Sequence, residues 1–146
     1  MEKAPERIFK KGEYVYVVDY WGTEHGTQAF EEEAKILYVE EEKQTFTALL
    51  YGDSYNTYSF KDYGRLIFDS RSEAIKAANS LPKPQSIVYV LINNKIYQRK
   101  VAGIKGFHEN GVFDLYIRFG KEKFVSIREI GHSIFFTKED ALKHKN

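Results

Sequence analysis

Short runs of β-branched and aromatic residues, separated by turn signals, make up most of the hydrophobic pattern of this chain. Residues 14–19 (Tyr-Val-Tyr-Val-Val-Asp) read as a strand. Residues 20–28 carry Gly22 and Gly26 and read as a loop or hairpin tip. Residues 30–39, 45–51 and 55–60 give three more strands, the last two divided by the Gly52-Asp53-Ser54 turn signal. Period two puts Tyr58 and Phe60 on one face and Thr57 and Ser59 on the other. Residues 66–68 form a short fifth strand, and 70–79 a helix with Ala74, Ile75 and Ala78 on its apolar side. Pro82 and Pro84 stop that helix and stiffen a linker over 81–85. The programme then runs again. Strands fall at 87–92, at 96–105 with a bend at Gly103, and at 112–119, 123–127 and 134–136. Asn93-Asn94 is a tight turn that tolerates positive φ, 106–111 is a loop, and a helix begins at Lys138. The charged segment 1–12, with Pro5, reads as a loose lead-in that Ile8 and Phe9 dock.

The repetition is literal. The stretch from Gly64 to Lys76 aligns without a gap on the stretch from Gly131 to Lys143, at a constant offset of 67. Each is a short apolar strand, a hydroxyl N-cap and a helix start. Ser70 with Glu73 is a capping box, and Thr137 with Asp140 is a version with a shorter acid. The same offset puts Phe46 on Phe113, Leu50 on Ile117, Tyr58 on Val125 and Phe60 on Ile127. At the front the offset is 73, Val15-Tyr16-Val17 falling on Val88-Tyr89-Val90. The first copy is therefore six residues longer, and the stretch 21–28 is where the extra length belongs. The reading is two domains, 1–81 and 82–146, in a mainly β (α+β) fold. Each is expected to be an SH3-like five-stranded barrel followed by a short C-terminal helix covering a seam, the alternative being one continuous antiparallel sheet with both helices on one face. Barrels of this size are marginal alone, which favours packing of the two copies.

Charge separates the halves. Residues 1–81 hold ten Lys/Arg against fifteen Asp/Glu, a net −5, and residues 82–146 hold twelve against six, a net +6. Glu31, Glu32 and Glu33 and then Glu40, Glu41 and Glu42 bracket the second strand and are expected at its two ends. Arg99, Lys100, Lys105, Arg118, Lys121, Lys123 and Arg128 spread over strands of the second half. The split reads either as solvated faces that attract each other or as separate surfaces for separate partners. There are no cysteines, which excludes disulfides, thiolate metal sites and cysteine nucleophiles. The N-terminal residues lack the apolar core of a signal peptide, and no apolar run approaches the roughly 20 residues of a spanning helix. These features predict a cytoplasmic protein with no membrane partner.

No catalytic constellation stands out. His25, His108, His132 and His144 are expected on loops or chain ends, and there is neither a phosphate-binding glycine loop nor a metal-ligand spacing. The chain reads as non-enzymatic, with no catalytic residues, metal or cofactor. Aromatics on loops anchor partners, so Tyr20, Trp21 and Tyr55, with the two glutamate runs, are the candidate protein-binding residues. An acidic cluster suits a basic groove, such as that of a nucleic-acid-binding host protein. The alternative is nucleic-acid binding through Arg99, Lys100, Arg118, Lys121 and Lys123 in the basic half. The overall pI of about 7.8 lies below that of a dedicated nucleic-acid binder.

The pattern Ile-Phe-x-[Ser/Thr]-x-x-[Glu/Asp]-Ala at Ile67 to Ala74 and Ile134 to Ala141 resembles small β-barrel proteins of phages and mobile elements of Gram-positive bacteria. That resemblance implies an accessory protein that works by binding, in character similar to inhibitors of host defence such as anti-CRISPR proteins.

Overall fold

A computed structural model describes residues 7–146; the front of the expected lead-in, residues 1–6, lies outside the described residues. The chain is mainly β, with antiparallel sheets and two helices. In the first half β1 (Tyr14–Thr23), β2 (Gly26–Glu40), β3 (Thr45–Leu49), β4 (Tyr55–Ser59) and β5 (Ile67–Phe68) form one sheet in the order β4-β3-β2-β1-β5, followed by α1 (Arg71–Asn79). In the second half β6 (Ile87–Ile92) pairs with β7 (Lys95–Lys100) and β11 (Ile134–Phe135). A further sheet holds β8 (Gly103–Glu109), β9 (Val112–Arg118) and β10 (Phe124–Ser126), and α2 (Lys138–His144) closes the chain.

Several expectations change, among them the loop over 106–111, most of which is strand because β8 runs to Glu109. Of the two readings of the stretch 20–28, hairpin tip holds and loop does not: β1 runs to Thr23 and β2, its neighbour in the sheet, starts at Gly26, so Trp21 lies within a strand. Gly22 tolerates extended backbone, and Gly26 serves close approach: a Cβ there would meet the Ala102 carbonyl at 2.7 Å and Pro84 at 3.1 Å. The strand expected over 96–105 is two strands, parted at Val101 and Ala102. Gly103 begins the second because the backbone and hydroxyl of Thr27 leave no room for a side chain.

The two closing segments match bond for bond. Gly64 and Gly131 both adopt φ +89, and their N–H groups reach the carbonyls of Ile67 and Ile134 at 2.8 and 2.7 Å. Leu66 and Ser133 both donate at 2.9 Å to the carbonyls of Asp62 and Glu129. The hydroxyls of Ser59 and Ser126 accept from the N–H of Lys61 and Arg128. The helix caps form as their residues predict: Ser70 Oγ accepts from Glu73 N–H at 3.3 Å, and Thr137 Oγ1 from Asp140 N–H at 3.1 Å. On α1, Ala74 and Ala78 are buried, while Ile75 stays exposed.

The described chain forms two compact units, and each draws on both halves of the sequence. The first comprises the chain up to Asp19, Phe30–Ala78 and Phe107–Asp114. Its core runs through rings: Phe9 on Phe46 at 4.8 Å, Phe46 on Tyr58 at 5.6 Å, and Tyr58 edge-on to Phe113 at 5.6 Å. Phe9 docks there as expected and Ile8 does not, remaining exposed. The second unit comprises Tyr20–Ala29, Asn79–Gly106 and Leu115–Asn146, around buried Val88, Val101, Ile104, Leu115, Ile117 and Ile134. No helix among the described residues is long and apolar enough to cross a membrane.

Within the second unit the Thr27–Gly103 approach sets a steric limit. Gly103→Ala should lower stability by about 2–4 kcal/mol, since the new Cβ meets backbone that cannot yield. Gly120→Ala, with nothing within 4 Å, is the control and should stay close to wild type in thermal unfolding.

Candidate functional site

Strand alternation decides what the first glutamate run becomes. The run lies in the middle of β2, not at its end. Glu32 shares its face with Ala34 and Ile36 and turns inward with them, 9% exposed. Glu31 and Glu33 turn the other way and meet Arg71 at the start of α1, at 2.8 and 3.8 Å. The Arg71 guanidinium lies 5.0 Å over the Tyr16 ring, and Tyr16 OH donates to Glu33 at 3.4 Å. These two acids are thus occupied within the first unit. Of the second run, Glu40 ends β2 and meets Lys43 at 3.2 Å, while Glu41 and Glu42 are exposed on the β2–β3 turn.

Glu32 faces Asp19 of β1, and the two carboxyl groups share a hydrogen bond. Burial first, then the bond and charge of Asp19, push Glu32 up to about 7, against the lowering effect of an N–H donated by Tyr51. A protonated Glu32 donating to an Asp19 carboxylate satisfies both groups. Tyr58, fully buried on β4, stands in the same environment. Burial and the Asp19 charge raise it well above its ordinary value, and Asn56 Nδ2 donates to its hydroxyl at 3.1 Å.

The other oxygen chemistry of Glu32 points outward through the backbone. Tyr51 donates its N–H to Glu32 Oε1 at 2.7 Å, which anchors the turn Tyr51–Asp53 between β3 and β4. Gly52 and Asp53 follow with φ of 78 and 59, so the turn is tight. It presents Tyr51 at 79% exposure, and Tyr55, at the start of β4 across from Leu49, at 58%. The first unit therefore carries two exposed tyrosines on a turn pinned by a buried acid.

A second buried charge group escaped the sequence reading. Arg65 meets Asp62 at 2.8 Å and Asp114 at 2.9 Å, with Asp62 only 2% exposed. Asp114 lies 49 residues beyond Arg65, and no local pattern pairs them.

The remaining candidates fall in the second unit. Tyr20 lies under Lys105, whose Nζ is 5.2 Å from the ring centroid, and Trp21 is 54% exposed. The structure thus assigns Tyr20 and Trp21 to one unit and the glutamates and Tyr55 to the other. Arg99 and Lys100 are exposed on β7, and Lys121 and Lys123 on the turn before β10. Arg118 Nε donates to the Gly120 carbonyl at 2.9 Å. Among the described residues, no carboxylate pairs with Arg99, Lys100, Lys121 or Lys123. Counting described residues, the first unit holds nine basic and fourteen acidic side chains and the second twelve and five, so net charges are −5 and +7. No group of three or more potential metal ligands converges among the described residues.

Compared with known proteins, the chain matches no family model, no curated protein and no solved structure.

The Glu32 environment predicts a pH dependence of stability. Folded Glu32 holds its proton to about pH 7, whereas its unperturbed value is 4.5. The group's contribution is intact below about 4.5 and declines as pH rises toward 7. Thermal unfolding at pH 5 and pH 8 should show wild type losing on the order of 1–3 kcal/mol more than Glu32→Gln, which keeps the acceptor for Tyr51 and cannot ionise.

Proposed function

We propose that this protein is a non-enzymatic binding protein acting through protein–protein contact, with the Tyr51–Tyr55 turn of the first unit as its contact surface. The observation that carries this is Tyr51: 79% exposed, yet with its backbone fixed by a buried carboxyl at 2.7 Å. An aromatic side chain held on a rigid turn loses little freedom on docking, which is what makes tyrosine an effective anchor. Glu41, Glu42 and Asp53 are exposed acids of this unit, and they suit a partner protein with a basic face. A nucleic-acid-binding host protein fits that description. The matching closures at Gly64 and Gly131 support reading the fold as two SH3-like barrel repeats. With the resemblance of their Ile-Phe motif, they support reading the protein as a phage-type accessory factor, such as an inhibitor of a host defence system of the anti-CRISPR kind. Glu31 and Glu33, both paired with Arg71, serve the sheet surface in this reading, not the partner.

A second reading, nucleic-acid binding through the other unit, is favoured by one observation: Arg99, Lys100, Lys121 and Lys123 have no carboxylate partner among the described residues.

Capture from host lysate, with and without nuclease, separates the two. A nuclease-resistant protein should be retained by wild type and by Lys121→Glu/Lys123→Glu. It should weaken about tenfold or more with Tyr51→Ala/Tyr55→Ala, whose fold is checked by circular dichroism. Retention unchanged by the tyrosine substitutions would sink the proposal. Recovery of nucleic acid alone, lost on reversal of the lysines, would replace it with the second reading.

A further inference from the structure

The sheet of the second unit has an open side. Its strand order is β11-β6-β7, which leaves β7 at the edge. The β6–β7 turn is Asn93-Asn94, with φ of 50 and 64, and the register runs Ile92↔Lys95, Val90↔Tyr97 and Val88↔Arg99. In a two-residue hairpin the pair flanking the turn exchanges both hydrogen bonds, and alternate pairs follow. Lys95, Tyr97 and Arg99 therefore point their backbone groups at β6. Ile96, Gln98 and Lys100 point theirs away from it. Among the described residues only one of those outward groups is taken, the Gln98 carbonyl, which Arg99 Nη1 caps at 3.0 Å.

We propose that the outer edge of β7 is a docking site for an extended acidic peptide of a partner protein, which adds to the sheet as a further strand. The inference goes beyond the Tyr51 surface and does not rest on it. Alternating N–H and C=O groups along an edge match a polypeptide backbone and nothing else so well. The side chains around them set the charge. Lys95, Arg99 and Lys100 flank the edge, none with a carboxylate partner among the described residues, in a unit of net +7. That charge disfavours a second copy of this chain, because two β7 edges brought together would face each other with the same cations. It favours glutamate- or aspartate-bearing strands. Arg99, released from Gln98, is placed to meet an incoming carboxylate.

The test uses the full chain and an acetylated peptide of about eight residues alternating Glu and Val, long enough to span β7. Amide exchange by NMR should show protection at Ile96, Gln98 and Lys100 on peptide addition, with Lys95, Tyr97 and Arg99 unchanged. Gln98→Pro removes an outward donor that β6 does not use, a change tolerated on an edge strand. It should weaken binding about tenfold or more, while Gln98→Ala binds like wild type. The same peptide N-methylated at alternate residues should fail to bind the unaltered protein, which keeps the test independent of any variant's folding. Protection that is absent, or equal with a Lys-Val peptide, would overturn the proposal. So would self-association abolished by Gln98→Pro, or preferential binding of a single-stranded oligonucleotide indifferent to that substitution.

Discussion

Arg65 stands between two carboxylates, and the first unit is organised around what that arrangement requires. Asp62 is almost entirely removed from solvent. A carboxylate in that position needs a cation, and the guanidinium in turn needs further acceptors for its N–H groups. The arginine three residues on supplies the first, and Asp114, from the far half of the chain, supplies the second. The segment that brings Asp114 also brings Phe113 edge-on to Tyr58, and His108, whose Nε2 accepts the Thr57 N–H at 3.3 Å and caps the outer side of β4. One short hairpin thus adds a counter-charge, a core ring and an edge cap to the same unit.

The same logic of burial explains why the acidic half is not simply an acidic surface. Three consecutive glutamates on a strand cannot share one fate, because alternate side chains leave on opposite faces. Glu31 and Glu33 find Arg71, and Glu32 goes inward, where a shared proton with Asp19 replaces water. The inward acid then fixes the Tyr51 backbone. A feature that resembles a charge patch in the sequence becomes a brace for an aromatic turn.

The closing segments were legible because their physics is local. A glycine at positive φ, a serine before a 3₁₀ turn and a hydroxyl cap need only near neighbours, and these recur at both copies. The burial of Glu32 was legible in principle, since Ala34 and Ile36 share its parity, but a run of three like charges masked it. Trp21 was misplaced for a different reason. Gly22 and Gly26 signal a loop, yet Gly26 is there for a close approach to Ala102 and Pro84, a contact with residues far along the chain. The Arg65–Asp114 pair belongs to the same class. A salt bridge across 49 residues leaves no periodicity to read.

The interleaving of the units has a consequence for synthesis. A nascent chain that has delivered α1 and the proline linker has every strand of its first sheet, but not the hairpin that completes the surrounding unit. That hairpin follows some thirty residues later, ending at Asp114. Until it leaves the ribosome, Arg65 lacks one counter-charge, Tyr58 a neighbouring ring and the edge of β4 its cap. Folding is therefore deferred and then concerted, with long loops to close before the last contacts return their stabilisation. In this interval the growing chain is exposed to chaperones and proteases, so a unit drawn from both halves of the sequence delays the moment at which its first-made part becomes safe.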